Sequence, residues 1–212
     1  MSLHTAVERG DLERVKDLLD NGASINERVY NGFLSRLGLT PLHYAIESLE
    51  MTRLLLDRGA DLEPDTEGEE HFIAPLHGAC KYNGLEVARL FLDLGVNVDV
   101  KTHCNATPLH FACIEGHVDV ARLLLDKGAD INANKEEEDD DEDDEFEYKP
   151  LHLACENGHL EIIKLLFDRG ADVDATGDTG ISPLCCCHSI EIAQLLLNRG
   201  ADVNIEGVNT EG

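Results

Sequence analysis

Cys185, Cys186 and Cys187, followed by His188, bring together the side-chain types of a zinc site. Zinc needs four ligands that converge tetrahedrally on one ion. Consecutive residues of a helix point about 100 degrees apart, so a helical run of four cannot converge in this way. We therefore predict no metal site in this segment. Buried, inert thiols are the favoured interpretation, and a reactive exposed thiol at Cys185 or Cys186 is the alternative.

Other nucleophiles in the sequence lack the spacing of a catalytic site. His103 and Cys104 are adjacent, but no third residue is placed to orient them. The sequence contains no phosphate loop, nucleophile elbow or paired-carboxylate motif. Cys80, Cys113 and Cys155 recur at one register and are predicted to fill the core. We expect no catalytic residues, no cofactor and no enzymatic activity.

A run of ten acidic residues extends from Glu136 to Glu145 and is followed by Phe146 and Tyr148. Charge blocks of this kind are usually disordered, which favours a solvated, mobile loop. A second interpretation is an electrostatic lure for a basic segment, with Phe146 and Tyr148 as apolar anchors. Calcium binding is the third, although the run lacks the glycine turn and alternating ligands of a calcium loop.

The composition limits the partners and the compartment. A formal charge of -26, from 43 acidic against 17 basic residues, argues against nucleic acid as the main partner and favours a basic one. Seven cysteines, an odd count without a disulfide framework, indicate a reducing intracellular compartment, the cytoplasm or nucleus. No apolar run approaches the roughly 18 residues that cross a bilayer, so we predict a soluble protein without membrane insertion.

Five of the ten histidines stand fourth in a recurring four-residue opening, and each copy closes on an element similar to Gly-Ala-Asp. The openings are Thr40-Pro41-Leu42-His43, Ala74-Pro75-Leu76-His77, Thr107-Pro108-Leu109-His110, Lys149-Pro150-Leu151-His152 and Ser182-Pro183-Leu184-Cys185, with Leu3-His4 in the same register. Apolar residues at helical spacing between opening and closing predict two antiparallel helices per copy. We expect each histidine to hydrogen-bond at its helix start and across to a neighbouring copy.

This pattern resembles the ankyrin repeat family, whose Thr-Pro-Leu-His opening and Gly-Ala-Asp closing recur over nearly the whole chain. The resemblance implies an all-α solenoid of six repeats, in which helix pairs are joined by β-hairpin loops, and it implies protein binding. One helix pair cannot bury its apolar face alone, so the array is the unit of stability. We predict one domain over residues 1–212, with repeats at about 1–33, 40–73, 74–106, 107–134, 149–181 and 182–212, and an acidic insertion at 135–148.

The resemblance places partner binding on a concave surface made from hairpin tips and the exposed ends of the first helices. The residues expected there are Glu47, Lys81, Tyr82, His103, Ile114, Glu115, Tyr148, Glu156, Asn157, Asp178 and Thr179. Tyr82, Ile114 and Tyr148 are the expected anchors, because aromatic and aliphatic side chains usually dominate interface energies. For each of them, an incidental exposed side chain is the alternative.

These patterns predict a non-catalytic scaffold or regulator that binds a protein partner, with a basic segment as the candidate ligand. The alternative is a targeting or regulatory segment of a larger enzyme or channel, truncated at its C-terminal end. The first copy carries Arg14 and Asp17 where later copies are apolar, which predicts a polar end cap. The sixth copy keeps its apolar set from Ile190 to Leu197, which predicts either a monomer or weak self-association through an uncapped C-terminal repeat.

Overall fold

A computed structural model describes residues 1–29, 38–63, 73–134, 148–176 and 180–205. Over these ranges the regular structure is α-helical, apart from one antiparallel bridge between Val29 and Leu39, which confirms the predicted all-α fold class. The chain divides into two compact units, Met1–His103 (unit 1) and Cys104–Gly212 (unit 2). The single domain over 1–212 stays a prediction.

Unit 1 contains three helix pairs. Their bounds are α1 Leu3–Glu8, α2 Leu12–Asp20, α3 Pro41–Tyr44, α4 Leu49–Asp57, α5 Pro75–Lys81 and α6 Leu85–Asp93. The two helices of each pair pack together, and α3 lies between α1 and α5 while α4 packs on α6. Helix α3 has only four residues, because the second copy is two residues shorter than the third between its opening proline and its closing glycine.

Unit 2 begins with two helix pairs of the same kind. The bounds are α7 Pro108–Glu115, α8 Val118–Asp126, α9 Pro150–Glu156, α10 Leu160–Asp168 and, in the sixth copy, α11 Ile190–Asn198. Helix α7 packs on α9 and α8 packs on α10. Residues Pro183 to Cys186 form a turn, so the first helix predicted for the sixth copy is not formed. Cys185 stands where the other copies have histidine, and its sulfur is a weaker hydrogen-bond acceptor than the ring nitrogen of histidine.

The opening histidines join each copy to the loop that follows it. In the second copy, Nδ1 of His43 accepts the backbone N–H of Thr40 at 3.0 Å, and Nε2 donates to the carbonyl of Ile73 at 2.8 Å. His77, His110 and His152 repeat both contacts. His4 makes the second bond alone, to the carbonyl of Glu27 at 2.8 Å, and its Nδ1 is buried without a partner. Four of the five histidines therefore make two bonds, and the predicted bond at the helix start is confirmed for them. By the predicted repeat bounds the second acceptor lies in the same copy or, for His110, in the acidic insertion, so the bond to a neighbouring copy is not confirmed.

Small residues allow close packing of the first helices. The alanine two places after each opening histidine is fully enclosed. These alanines are Ala6, Ala45, Ala79, Ala112 and Ala154. Around them, side chains such as Phe91, Leu109 and Ile162 are also fully buried and form the core. The predicted packing role of the small residue is confirmed.

The two ends of the chain differ in polarity, as predicted. In α2 only Val15 is buried, and Arg14 and Asp17 are exposed. In the last copy, Ile190 and Leu197 are exposed to 79% and 45%. Self-association through this end stays a prediction. No helix in the described ranges is long and apolar enough to cross a membrane.

Candidate functional site

Each complete first helix of the third, fourth and fifth copies ends in one buried and two exposed residues. In unit 1 the buried residue is Cys80, and the exposed pair is Lys81 and Tyr82. The Tyr82 side chain is 56% exposed, and the Lys81 ammonium lies 5.8 Å from the centre of its ring. Glu47 and His103 are exposed elsewhere in unit 1. The structure therefore leaves an aromatic side chain and a cation together at the end of α5.

Unit 2 repeats this arrangement with other side chains. Ile114 is 36% exposed at the end of α7, beside the exposed Glu115. Glu156 and Asn157 are exposed at the end of α9. The Nε2 of His159 donates a 2.8 Å hydrogen bond to the Ile114 carbonyl, which ties the end of α7 to the start of α10. The apolar Ile114 side chain therefore stands on a fixed backbone.

Tyr148 is held between two histidines of unit 2. Its carbonyl accepts a hydrogen bond from Nε2 of His110 at 3.1 Å, and its ring meets that of His152 edge-on, with 6.1 Å between the centres. Burial raises the pKa of the Tyr148 hydroxyl, and the neighbouring Cys186 and Glu156 raise it further when they are ionised. The structure therefore places two expected site residues, Tyr148 and Glu156, close enough for the Glu156 carboxylate to influence the Tyr148 hydroxyl.

Two expected site residues, Asp178 and Thr179, lie outside the described residues, as does the acidic run from Glu136 to Glu145 with Phe146. The nine other expected residues all have solvent access, and Tyr148 is the least exposed of them. Solvent access is necessary for partner binding, and the binding roles themselves stay predictions.

The thiols of the core are poor nucleophiles. Burial raises the pKa of Cys80, Cys113 and Cys155, which confirms their predicted core position. Burial also raises the pKa of Cys186 to about 11. Cys185 is exposed, and its sulfur accepts a hydrogen bond from the Ser182 hydroxyl at 3.6 Å. The thiolate form is therefore disfavoured at four of these cysteines.

The segment Cys185–His188 is not helical, contrary to the prediction. Cys185 and Cys186 lie in a turn rather than in a helix, so the premise of helical spacing is wrong. In the part of the chain that the structure describes, no three side chains among histidine, cysteine, aspartate and glutamate are grouped to hold a metal ion.

The surface of unit 1 has a cavity that was not predicted from the sequence. A cavity of about 330 Å³ opens beside Leu94, between α4 and α6. The signal was present in the closing elements, where Leu94 precedes the glycine and most other copies have a basic residue.

Comparison with known proteins agrees with this architecture. A family model described as ankyrin repeats, in three copies, matches residues 3–101, 67–135 and 136–206. An ankyrin repeat protein of fowlpox virus (strain NVSL) is 47% identical over 68 residues, which is 31% of this chain. A second ankyrin repeat protein of that virus is 36% identical over 99 residues, or 45% of this chain.

A relative from Otolemur garnettii, the ankyrin repeat, SAM and basic leucine zipper domain-containing protein 1, is 37% identical over 83 residues, or 38% of this chain. The matched region spans 15% of the length of each of the three relatives. The alternative of a targeting or regulatory segment of a larger enzyme or channel stays a prediction.

Proposed function

Because the chain belongs to the ankyrin repeat family, we propose that it is a non-catalytic module that binds a protein partner through the exposed ends of its first helices. Ankyrin repeats generally serve protein–protein interaction, and stacked repeats create extended binding surfaces. Each of the two units supplies its own contact residues.

The observation that supports this proposal is a contrast between adjacent positions of the repeat. The last buried position of the first helix is cysteine in the third, fourth and fifth copies, whereas the next position is Lys81, Ile114 or Glu156. Packing restricts the buried position to one residue type. The exposed positions differ in charge and size from copy to copy, as expected of a surface that meets a partner of irregular chemistry.

The charges of unit 2 favour a basic segment as the ligand. Glu115 and Glu156 are exposed at the ends of α7 and α9. The negative charge of the Glu156 carboxylate raises the pKa of the Tyr148 hydroxyl. An arginine side chain can stack on a tyrosine ring and pair with a carboxylate at the same time. The acidic run Glu136–Glu145 shortly precedes Tyr148 in the sequence, and its negative charges attract a basic segment at longer range.

A fluorescent arginine-rich peptide of twelve residues, interleaved with leucine, tests this function by anisotropy titration. We expect binding that weakens when salt rises from about 50 to about 200 mM, because screening shortens the reach of the charges. A matched peptide with glutamine in place of arginine serves as the control. Binding of both peptides with equal affinity would contradict the electrostatic part of the proposal.

The contribution of the acidic run is tested by replacing Glu136–Glu145 with ten glycine and serine residues, which keeps the length of the loop. We expect a weaker affinity and a smaller salt dependence for the arginine-rich peptide. An unchanged affinity and salt dependence would show that the acidic run does not contribute to binding. The surface of Tyr148 and Glu156 would then be the remaining candidate for the binding site.

A further inference from the structure

At two junctions of the repeat array, an arginine of the closing element forms an ion pair with the end of the preceding second helix. Nη1 of Arg58 lies 2.9 Å from Oδ1 of Asp20, the last residue of α2. In unit 2, Nη2 of Arg169 lies 3.0 Å from Oδ1 of Asp126, the last residue of α8. Each ion pair spans the groove between one second helix and the next.

The third copy has Leu94 at this position. The last residue of the preceding second helix is again an aspartate, Asp57, but a leucine side chain cannot pair with its carboxylate. In place of a clamp, a cavity of about 330 Å³ opens between α4 and α6. Leu94 lines this cavity and is still 53% exposed. A groove therefore opens at this junction, whereas an ion pair spans two of the other junctions.

The groove combines an apolar floor with two charges of opposite sign. We call it the Leu94 groove, and its lining includes Leu56, Leu62, Leu90, Leu94, Arg53 and Asp57. Arg53 and Asp57 are four residues apart on α4 and thus lie on one face of that helix. Both are exposed, and within the described residues neither forms an ion pair.

The size of the groove selects the class of ligand. Pockets for small molecules start at about 300 Å³, so this groove has room for one or two aliphatic side chains rather than for a large cofactor. An acidic group would satisfy Arg53 and a basic group would satisfy Asp57. A second copy of the chain is a poor occupant, because each copy has a formal charge of -26 and the copies repel each other.

We propose that the Leu94 groove binds a peptide segment of a protein partner that carries an aliphatic side chain between an acidic and a basic residue. The groove lies on the second helices of unit 1, whereas the surface described under Proposed function lies at the ends of first helices. The two sites are independent, and failure of one leaves the other in place.

The experiment uses a phage-displayed library of random twelve-residue peptides, selected on the full chain. The Leu94→Arg variant serves for counter-selection, because arginine restores the repeat pattern and is placed to pair with Asp57 and close the groove. We expect enriched peptides with an aliphatic residue flanked by an acid and a base, and at least about tenfold weaker binding to L94R. Ile190→Arg is the matched control, since it also replaces an exposed apolar residue by arginine.

A second variant covers the possibility that L94R folds poorly, which circular dichroism would reveal. Arg53→Gln combined with Asp57→Asn removes both charges and leaves the apolar floor intact. The same enriched peptides should bind this double variant at least about fivefold more weakly, as expected when two charged contacts are lost. The Tyr82→Ala and Ile114→Ala substitutions should leave their affinity unchanged.

Three results would overturn the proposal. One is a selection that enriches no peptide over the L94R counter-selection. Another is a set of enriched peptides that bind wild-type protein, L94R and the Arg53/Asp57 variant equally well. The third is a concentration-dependent dimer in sedimentation that disappears in L94R, because this would make a second copy the occupant of the groove.

Discussion

The imidazole of His43 connects the start of its own helix to the segment just before α5, since it accepts the N–H of Thr40 at 3.0 Å and donates to the carbonyl of Ile73 at 2.8 Å. A carbonyl only accepts, so Nε2 carries the proton and Nδ1 is the acceptor. Protonation of Nδ1 would place a second donor against the Thr40 N–H. The connection therefore requires a neutral histidine.

We expect acid to weaken this connection. Burial lowers the pKa of His43 to about 4, against a usual value of 6.5. Because the folded pKa is the lower one, the full stability is present above pH 6.5 and is lost as pH falls towards 4. One such group contributes about 3 kcal/mol to this loss. Urea unfolding measured from pH 7 to pH 4 gives the free energy of unfolding at each pH.

The variant His43→Gln isolates this contribution, because glutamine can both accept and donate but does not titrate in this range. The difference between wild type and H43Q should narrow as the pH falls from 6.5 to 4. His188→Gln replaces an exposed histidine and is the matched control. A constant difference between wild type and H43Q at all pH values would show that His43 does not control the acid sensitivity.

Two glycines with nearly equal backbone angles should differ in their tolerance of alanine. Gly116 and Gly158 have φ of 79° and 77°, so alanine is strained at both by about 1 kcal/mol. A Cβ at position 158 has nothing within 4 Å, whereas one at position 116 would lie 2.6 Å from Cε1 of His159. Gly116→Ala should cost about 1 kcal/mol more, because His159 must move away from the Ile114 carbonyl.

Thermal or urea unfolding of the two alanine variants measures this difference. Introducing His159→Ala into both alanine variants should abolish their difference in stability, since the clash with the imidazole and its hydrogen bond to Ile114 then disappear together. Equal destabilisation by G116A and G158A with His159 present would contradict the tight contact between Gly116 and the imidazole.

The cysteines should react in an order set by exposure. Iodoacetamide should modify the exposed Cys185 first in the native protein, while the buried Cys80, Cys113 and Cys155 should react only after unfolding in urea. Mass spectrometry of peptides, taken over time, identifies the modified residues. Cys185→Ser should abolish the fastest phase. Early modification of Cys113 would contradict the packed core of α7.

The exposed anchors should contribute to binding without supporting the fold. Tyr82→Ala in unit 1 and Ile114→Ala in unit 2, measured as separate variants, should each weaken peptide binding to their own unit by about 1 to 3 kcal/mol, because the partner would cover that side chain. The unfolding midpoint should change little, since both residues are exposed. Ile190→Ala removes another exposed apolar side chain and is the control. Wild-type affinity in either variant would show that the replaced residue does not contribute to the interface.

The positions of the core residues and of most helices could be predicted from the sequence. Helical spacing and the recurrent Pro-Leu-His opening depend on residues close together in the chain, so they identify Leu109, Ala112 and Cys113 as buried without knowledge of their neighbours. The exposed ends Tyr82 and Ile114 follow from the same register. Local periodicity therefore determined the repeat and its buried face, whereas the candidate contact residues depended on the resemblance to ankyrin repeats.

Only the tertiary structure decided which positions lose or gain a partner. Pro183 to Cys186 forms a turn although it follows the opening pattern. The His4 ring lacks one of the two bonds that the His43 ring makes. The groove at Leu94 exists because Asp57 faces a leucine from another helix. These outcomes depend on contacts between residues far apart in the chain, which no local pattern specifies.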